Sequence, residues 1–375
     1  MLLRWNEEPG ALDALEAEWR QLLPHSATHT LFLTWDWQRA WWATFGAGKR
    51  LRVLTVRDDD SSLQAIVPLF GQQTRLDRQA SPNCGETPWS CRPKTGQAAS
   101  LPDISIENPL AADGGELYQT LHLIGGSEVS DYLDAIIPAD KNAEVCEQLV
   151  GALANDPEWQ IMDLRSIPAA SPTIANMSAQ ARAQGWEAQV VREDVCPLIE
   201  LPKTWQDYMS ERLDRKKRHE LRRKMRKAER EADVNWYWVG ADRLEHGLEV
   251  FFELHRASHP EKDAFMTPRM EGFFRDVVQM ALDRGWLRLA VLRYDGQAVA
   301  SYLCFDYAGD RLVYNSGFDT TTYGALSPGV VLLGHIIDDA IQNGCRRLDF
   351  LQGDERYKYD LGATDTEVMR LFIRR

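Results

Sequence analysis

Two α/β (α+β) domains in tandem, each a mixed, mostly antiparallel sheet flanked by helices, are what this 375-residue sequence predicts. Three observations carry the prediction. A domain usually runs roughly 100–200 residues, so the length asks for two. The run Leu51-Arg52-Val53-Leu54-Thr55-Val56-Arg57-Asp58-Asp59 is echoed by Leu287-Arg288-Leu289-Ala290-Val291-Leu292-Arg293-Tyr294-Asp295. Each then turns and continues, with Ala65-Ile66-Val67-Pro68-Leu69-Phe70 in one half and Ala300-Ser301-Tyr302-Leu303-Cys304-Phe305 in the other. Finally, the order helices, hairpin, strand, helix, strand recurs, as an internal repeat should. A division near residue 200 gives domains 1–200 and 201–375.

Taken in order, helical spacing appears first at 12–23 and again in the aromatic run Trp35-Asp36-Trp37-Gln38-Arg39-Ala40-Trp41-Trp42, with Thr34 as N-cap. Trp37 and Trp41, four apart, share a face, and the cluster of Trp35, Trp37, Trp41 and Trp42 reads as core, with sugar stacking by an exposed member the alternative. Strands at 51–56 and 64–70 flank the acidic turn Asp58-Asp59-Asp60-Ser61-Ser62. Residues 77–116, rich in Pro, Gly, Ser and Asn, read as a long loop. Strands at 121–124 and 132–137, a helix at 143–154, a strand at 160–164 and a helix at 174–184 complete the first half. In the repeat, 132–137 corresponds to 312–317 and 160–164 to 347–350. The stretch 190–201 crosses to the second half. There a basic helix at 210–231 precedes helices at 243–257 and 269–283. Strands follow at 287–293, 298–306 and 312–317, then a helix at 328–343 and a strand at 347–351.

Composition is that of an ordinary globular chain, 44% hydrophobic and 26% charged. The net charge of -13 argues against a general nucleic-acid binder. The start, Met1-Leu2-Leu3-Arg4-Trp5-Asn6-Glu7-Glu8-Pro9, forms no apolar signal region. No apolar run approaches the roughly 20 residues of a membrane helix, so the chain reads as cytoplasmic. Cys84, Cys91, Cys146, Cys196, Cys304 and Cys345 fit no zinc spacing and read as reduced thiols. Cys84 and Cys91 are near enough in sequence to close a short disulfide, which a reducing compartment opposes.

Several runs carry a resemblance. They are 298–305, Tyr314-Asn315-Ser316-Gly317-Phe318-Asp319, Ser327-Pro328-Gly329, Leu348-Asp349-Phe350, Gly353-Asp354-Glu355 and Tyr357-Lys358. Leu254-His255 and, in the first half, Asp131-Tyr132-Leu133-Asp134 join them. Together they resemble the CelD-like branch of the GNAT superfamily, itself similar to the Fem-type aminoacyl transferases with their tandem GNAT domains. The resemblance spans nearly the whole chain and is specific in the C-terminal run. Leu351-Gln352 departs from it, since family members often place a basic residue before the glycine. It implies two GNAT-like domains with the working site in the second. The reaction implied is transfer of an acyl group, acetyl above all, from acyl-CoA as cosubstrate to an amine, with no tightly bound cofactor. The implied acceptor is a small molecule or amino-sugar precursor of envelope or exported polysaccharide. A Fem-like transferase using charged tRNA and a non-catalytic adaptor of envelope synthesis are the alternatives.

Such chemistry needs a phosphate cradle, a base and an oxyanion stabiliser. Ser327-Pro328-Gly329, with Gly324 shaping the loop, fits the cradle. Proline at a first helical turn loses no hydrogen bond, and glycine lets a phosphate approach the backbone. Asp349, Asp354, Glu355, Tyr357, Lys358 and Tyr359 crowd the end of the last strand, where ligands of open α/β sheets bind. Among them a carboxylate serves as base, Tyr357 as acid and Lys358 as partner of a phosphate or oxyanion, unless the segment is a solvated turn. His255 is a further site candidate or a helix-end histidine. His259, four residues on, makes no metal set with it. The counterpart junction in the first half, Pro138-Ala139-Asp140-Lys141-Asn142, lacks glycine and carries Asp140, so no CoA is expected there. The basic helix holds 11 cations from Arg212 to Arg230 against five acids. A solvated face, an anionic substrate, CoA phosphates, a tRNA acceptor stem and an anionic membrane surface all suit it.

Overall fold

The computed structural model describes residues 2–75 and 116–375. Residues 77–115 of the expected loop, with Cys84 and Cys91, lie outside the described residues. The chain forms two compact units, Met1–Asp194 with Glu367–Arg375, and Val195–Thr366.

In the first unit β1 (Leu2–Asn6), β2 (Arg50–Arg57), β3 (Leu63–Arg75) and β4 (Leu117–Leu123) pair antiparallel in that order. β5 (Ile161–Pro168) lies parallel to β4, as a strand reached through a crossover helix must. That helix is Asn142–Ala154. The C-terminal strand Thr364–Arg374 closes the sheet, antiparallel to β5 through residues 368–374. Helix Trp35–Phe45 starts where the Thr34 hydroxyl accepts the Trp37 N–H at 3.3 Å, and it buries Trp37 and Trp41 completely.

One strand assignment is corrected. Residues 132–137 form no strand; Ile136 makes a single bridge to Ile66. β4 takes the outer edge of β3 from Leu69 onward, and the buried apolar run meets what is left of that edge only at Ile66, where Ile136 exchanges two backbone hydrogen bonds with it. The counterpart of 312–317 is therefore β4, where Gln119 and Thr120 interrupt the apolar pattern.

In the second unit β7 (Val234–Trp238), β8 (Leu287–Tyr294), β9 (Gln297–Tyr307) and β10 (Asp310–Phe318) again pair antiparallel. β11 (Arg347–Asp349) is parallel to β10, and residues 198–200 of β6 (Glu187–Glu200) close this sheet antiparallel to β11. The two units thus share one plan: edge strand, hairpin, antiparallel strand, crossover helix, parallel strand, closing strand. The hairpins β2–β3 and β8–β9 hold equivalent places in it.

The crossover helix Pro328–Gln342 is the core of the second unit, with Val331, Leu332, Leu333, Ile336, Ile337 and Ala340 at most 1% exposed. Gly324–Gln342 is in fact long and apolar enough to cross a membrane, and 61% of its most apolar 18-residue stretch is buried inside the protein. The basic helix begins at Arg215, not at residue 210. Residues Tyr208–Arg212 form a wider turn, and Asp214 caps the regular helix by accepting the Lys217 N–H at 2.9 Å. Leu221 and Met225 seat it on the crossover helix at Gly334, where a side chain would meet Met225 Sδ at 3.1 Å.

Candidate functional site

The site follows from where pairing stops. β10 and β11 pair only at 310–312 and 347–349, after which β11 ends. β10 runs on to Phe318 along β9, with a register shift between Val313 and Asn315. Ser316 lies opposite Tyr302, yet its N–H bonds Asn315 Oδ1 at 2.9 Å and its carbonyl accepts from His255 and Lys262. Both backbone groups therefore point away from β9, into the opening that β11 leaves.

Helix Leu244–Ser258 presses against this strand. A side chain at Gly317 would stand 2.2 Å from the His255 backbone nitrogen, so only glycine fits there. His255 is fully buried beside Phe251 and Phe265, its ring 5.6 and 6.2 Å from theirs. Burial, then the nearby Lys262 and Arg256 charges, lower its pKa to about 3. The ring is neutral and donates from Nδ1 to the Ser316 carbonyl at 3.0 Å, while Nε2 has no partner among the described residues.

Sequence reasoning missed Lys262. It stands on the short helix Pro260–Phe265, and its Nζ donates to the Ser316 carbonyl at 2.6 Å and reaches Ser316 Oγ at 3.3 Å. Burial brings its ammonium down to about 8, against the opposing pull of Glu355. The helix that carries it follows His259, whose ring accepts the Glu261 N–H at 3.3 Å as a cap. Among the described residues no group of three or more His, Cys, Asp or Glu side chains is placed to hold a metal.

The N-terminus of the crossover helix faces the same region. Ser327 has a left-handed backbone (φ 54°), Pro328 opens the helix, and no side chain caps it. Its first N–H groups are those a helix leaves without internal partners. A side chain at Gly329 would stand 3.2 Å from Phe318 Cδ1 and 3.5 Å from the Tyr302 hydroxyl. Phe318 in turn lies under the Lys262 ammonium, 5.8 Å from it. Burial raises the pKa of Tyr302 and of Tyr357, so both stay protonated; Tyr302 and Glu355 add to the rise at Tyr357. Gly324 has open space where a side chain would go.

Two sequence candidates look elsewhere. Lys358 is 2% exposed, and its ammonium bonds the carbonyls of Leu351, Gln352 and Gly353 at 3.1, 2.8 and 2.9 Å. Glu355 Oε2 stands 2.9 Å from it. Asp349 accepts the Leu351 N–H at 2.7 Å. Leu351 has a left-handed backbone (φ 58°), a strained conformation for leucine, and Gly353 (φ 112°) adopts the positive φ that glycine allows. Of the sequence candidates, Gly329, Glu355, Tyr357 and His255 gather at the opening, with Tyr302, Ser316, Lys262 and Phe318 added by the fold. Asp349 and Lys358 shape the turn behind Glu355.

Residues 215–359 match the acetyltransferase (GNAT) domain family. No curated protein matches the sequence. Among solved structures, FemX superposes with a TM-score of 0.60 at 10% identity, covering 100% of this chain and 97% of that one. A conserved protein of unknown function from Bacteroides thetaiotaomicron VPI-5482 gives 0.54 at 11% identity, with 100% of both chains covered. L-PGS from Bacillus licheniformis gives 0.51 at 11%, covering 98% and 92%. At these identities the likeness is one of fold.

Proposed function

We propose that the second unit transfers an acyl group, acetyl in the first instance, from acyl-CoA to an amine. One observation carries the reading: an uncapped helix N-terminus with glycine at its second position, beside a strand opening lined by a half-buried lysine and protonated tyrosines. The match of residues 215–359 to a GNAT acetyltransferase domain supports it. The pyrophosphate rests on the first N–H groups of helix Pro328–Gln342, with Gly329 giving it room. The thioester lies along the open edge of β10.

In this reading Glu355 receives the acceptor ammonium. Lys262, whose pKa of about 8 is the nearest to neutrality of the groups at the opening, takes its proton as the free amine. The acceptor nitrogen attacks the thioester carbon, the tetrahedral oxyanion collapses, the carbon–sulfur bond breaks, and the Lys262 ammonium returns a proton to the thiolate; the Lys262 amine then takes the second proton from the acylated nitrogen and releases it to solvent, leaving a neutral amide and a thiol. Tyr302 donates a hydrogen bond to the developing negative charge. His255, Asp349 and Lys358 are positioning residues, holding the Ser316 carbonyl and the 351–353 turn. The acceptor is an amine of a small molecule or of a sugar precursor of envelope or exported polysaccharide, and the first unit takes no acyl-CoA.

Calorimetry with acetyl-CoA, followed by a mass-spectrometric screen of acyl-CoAs against amino-sugar acceptors, tests this. One acyl-CoA bound per chain and an acylated amine are the expected results. Failure to bind any acyl-CoA overturns the reading in favour of an aminoacyl-tRNA donor or an adaptor.

A further inference from the structure

The basic helix Arg215–Glu231 has a face that acyl transfer does not use. Laid out at the 3.6 residues per turn of an α-helix, Arg222, Arg215, Arg226, His219, Arg230, Arg223 and Lys216 fall together in an arc of roughly 120°. All seven are exposed. No acid, no aliphatic residue and no Phe, Tyr or Trp interrupts the arc. It is about 22 Å long from Arg215 to Arg230, at 1.5 Å per residue. The acids that pair on this helix stand at its margins. Glu220 pairs with Arg223 and, at 3.9 Å, with Lys224; Glu231 pairs with Arg230 and, at 3.9 Å, with Lys227. The side chains of Arg215, Lys216, Arg222 and Arg226 make no ion pair or hydrogen bond among the described residues. In a chain of net charge -13 these cations concentrate positive charge on one helix face.

We infer that this face docks the protein on an anionic phospholipid surface. Charge complementarity selects the partner class. Clusters of four to eight Lys or Arg on one helix face are attracted to acidic headgroups. The arc carries no Ser, Thr, Asn, Gln, Phe, Tyr or Trp side chain, groups that join Arg and Lys in fixing a protein's register on nucleic acid and in stacking on bases. A plane of headgroups asks only for charge and meets the full width of the arc. The helix lies on such a surface without inserting, because its apolar face, Leu221, Met225 and Ala228, is already packed within the protein. The docking does not rest on acyl transfer, and a chain unable to bind acyl-CoA docks equally well.

The test is co-sedimentation of the full chain with vesicles of phosphatidylcholine alone and of phosphatidylcholine mixed with phosphatidylglycerol. Binding is expected only to the mixed vesicles. It is lost when salt rises from about 0.1 M to about 1 M, where the screening length falls to about 3 Å. The triple variant Arg215→Gln, Arg222→Gln, Arg226→Gln removes exposed, unpaired charges and keeps the melting temperature. It is expected to partition roughly 100-fold more weakly. Equal binding to both vesicle types, or an unchanged triple variant, overturns the proposal. So does tighter binding to duplex RNA than to the mixed vesicles at equal phosphate concentration, which assigns the face to nucleic acid.

Discussion

His255 and Lys262 donate to one atom, the carbonyl oxygen of Ser316, at 3.0 and 2.6 Å. A strand carbonyl that would bond a neighbouring strand instead holds a neutral imidazole and an amine of lowered pKa. The convergence fixes the lysine at the mouth of the β10 opening and gives each donor a separable signature.

For Lys262 the signature is kinetic. A base must be unprotonated to act, so kcat/KM is expected to rise with pH and level off above about 8, the pKa that burial gives this amine. Lys262→Arg keeps a cationic donor that does not deprotonate. It is expected to lose the rising limb and roughly 100-fold or more in kcat/KM. A Lys262→Arg enzyme with the wild-type pH profile removes lysine from the mechanism.

For His255 the signature is stability. The unfolded imidazole protonates near 6.5, the folded one only at about 3. The folded pKa is the lower, so the unfolded state binds more protons in between. Stability is therefore full above about 6.5 and falls as pH drops. The slope is about 1.4 kcal/mol per pH unit for one group, or about 2 kcal/mol by pH 5. His255→Gln retains a donor for Ser316 and abolishes the titration. Buried His122, lowered to about 4, is common to both proteins and cancels in the comparison. Chemical denaturation at a series of pH values should give a shallower slope for the variant; parallel slopes contradict the assignment.

These residues mark how far the sequence alone reaches. The hairpins β2–β3 and β8–β9 were legible because both start on Leu-Arg, place an Arg before the turn and an Ala after it. The helix start at Pro328-Gly329 was legible because proline and glycine opening a helix have a local physical meaning. Lys262 was not. It lies in Pro260-Glu261-Lys262-Asp263, which reads as a solvated helix start, and only the packing of Leu244–Ser258 on Gly317 turns it inward. The C-terminal strand is hidden as well. Its first half, Thr364-Asp365-Thr366-Glu367, is exposed and polar, and its partner β5 lies some two hundred residues upstream. Lys358 stands out in the sequence by charge density, which does not reveal that three backbone carbonyls hold the ammonium.

That ammonium makes Lys358→Met a stability variant. Removing it leaves the carbonyls of Leu351, Gln352 and Gly353 without their buried donor in a strained turn. An unsatisfied buried group costs about 1–3 kcal/mol, so a loss of about 3 kcal/mol and a Tm lowered by roughly 6–12 °C are expected. A direct role in catalysis alone would leave Tm unchanged and reduce turnover, which scanning calorimetry beside a rate assay distinguishes.

Two glycines at the start of the crossover helix test the phosphate cradle, because a methyl group meets different surroundings at each. At Gly324 it would have nothing within 4 Å, whereas at Gly329 it would meet Phe318 Cδ1 at 3.2 Å and the Tyr302 hydroxyl at 3.5 Å. A valine at 329 would therefore disturb the packing as well as any ligand, and alanine is the cleaner probe. The contact with Phe318 is tight by a few tenths of an ångström, while alanine in a helix gains up to about 1 kcal/mol over glycine. The two nearly offset, so the Tm of Gly329→Ala is expected to stay close to wild type. Acyl-CoA affinity is another matter: the methyl occupies the space through which a pyrophosphate approaches the helix N–H groups, and a Kd raised at least tenfold, about 1.4 kcal/mol, is expected. Gly324→Ala should bind as the wild type does. Calorimetric titration of both variants with acetyl-CoA decides the matter, and a Gly329→Ala chain that binds with undiminished affinity would sink the cradle.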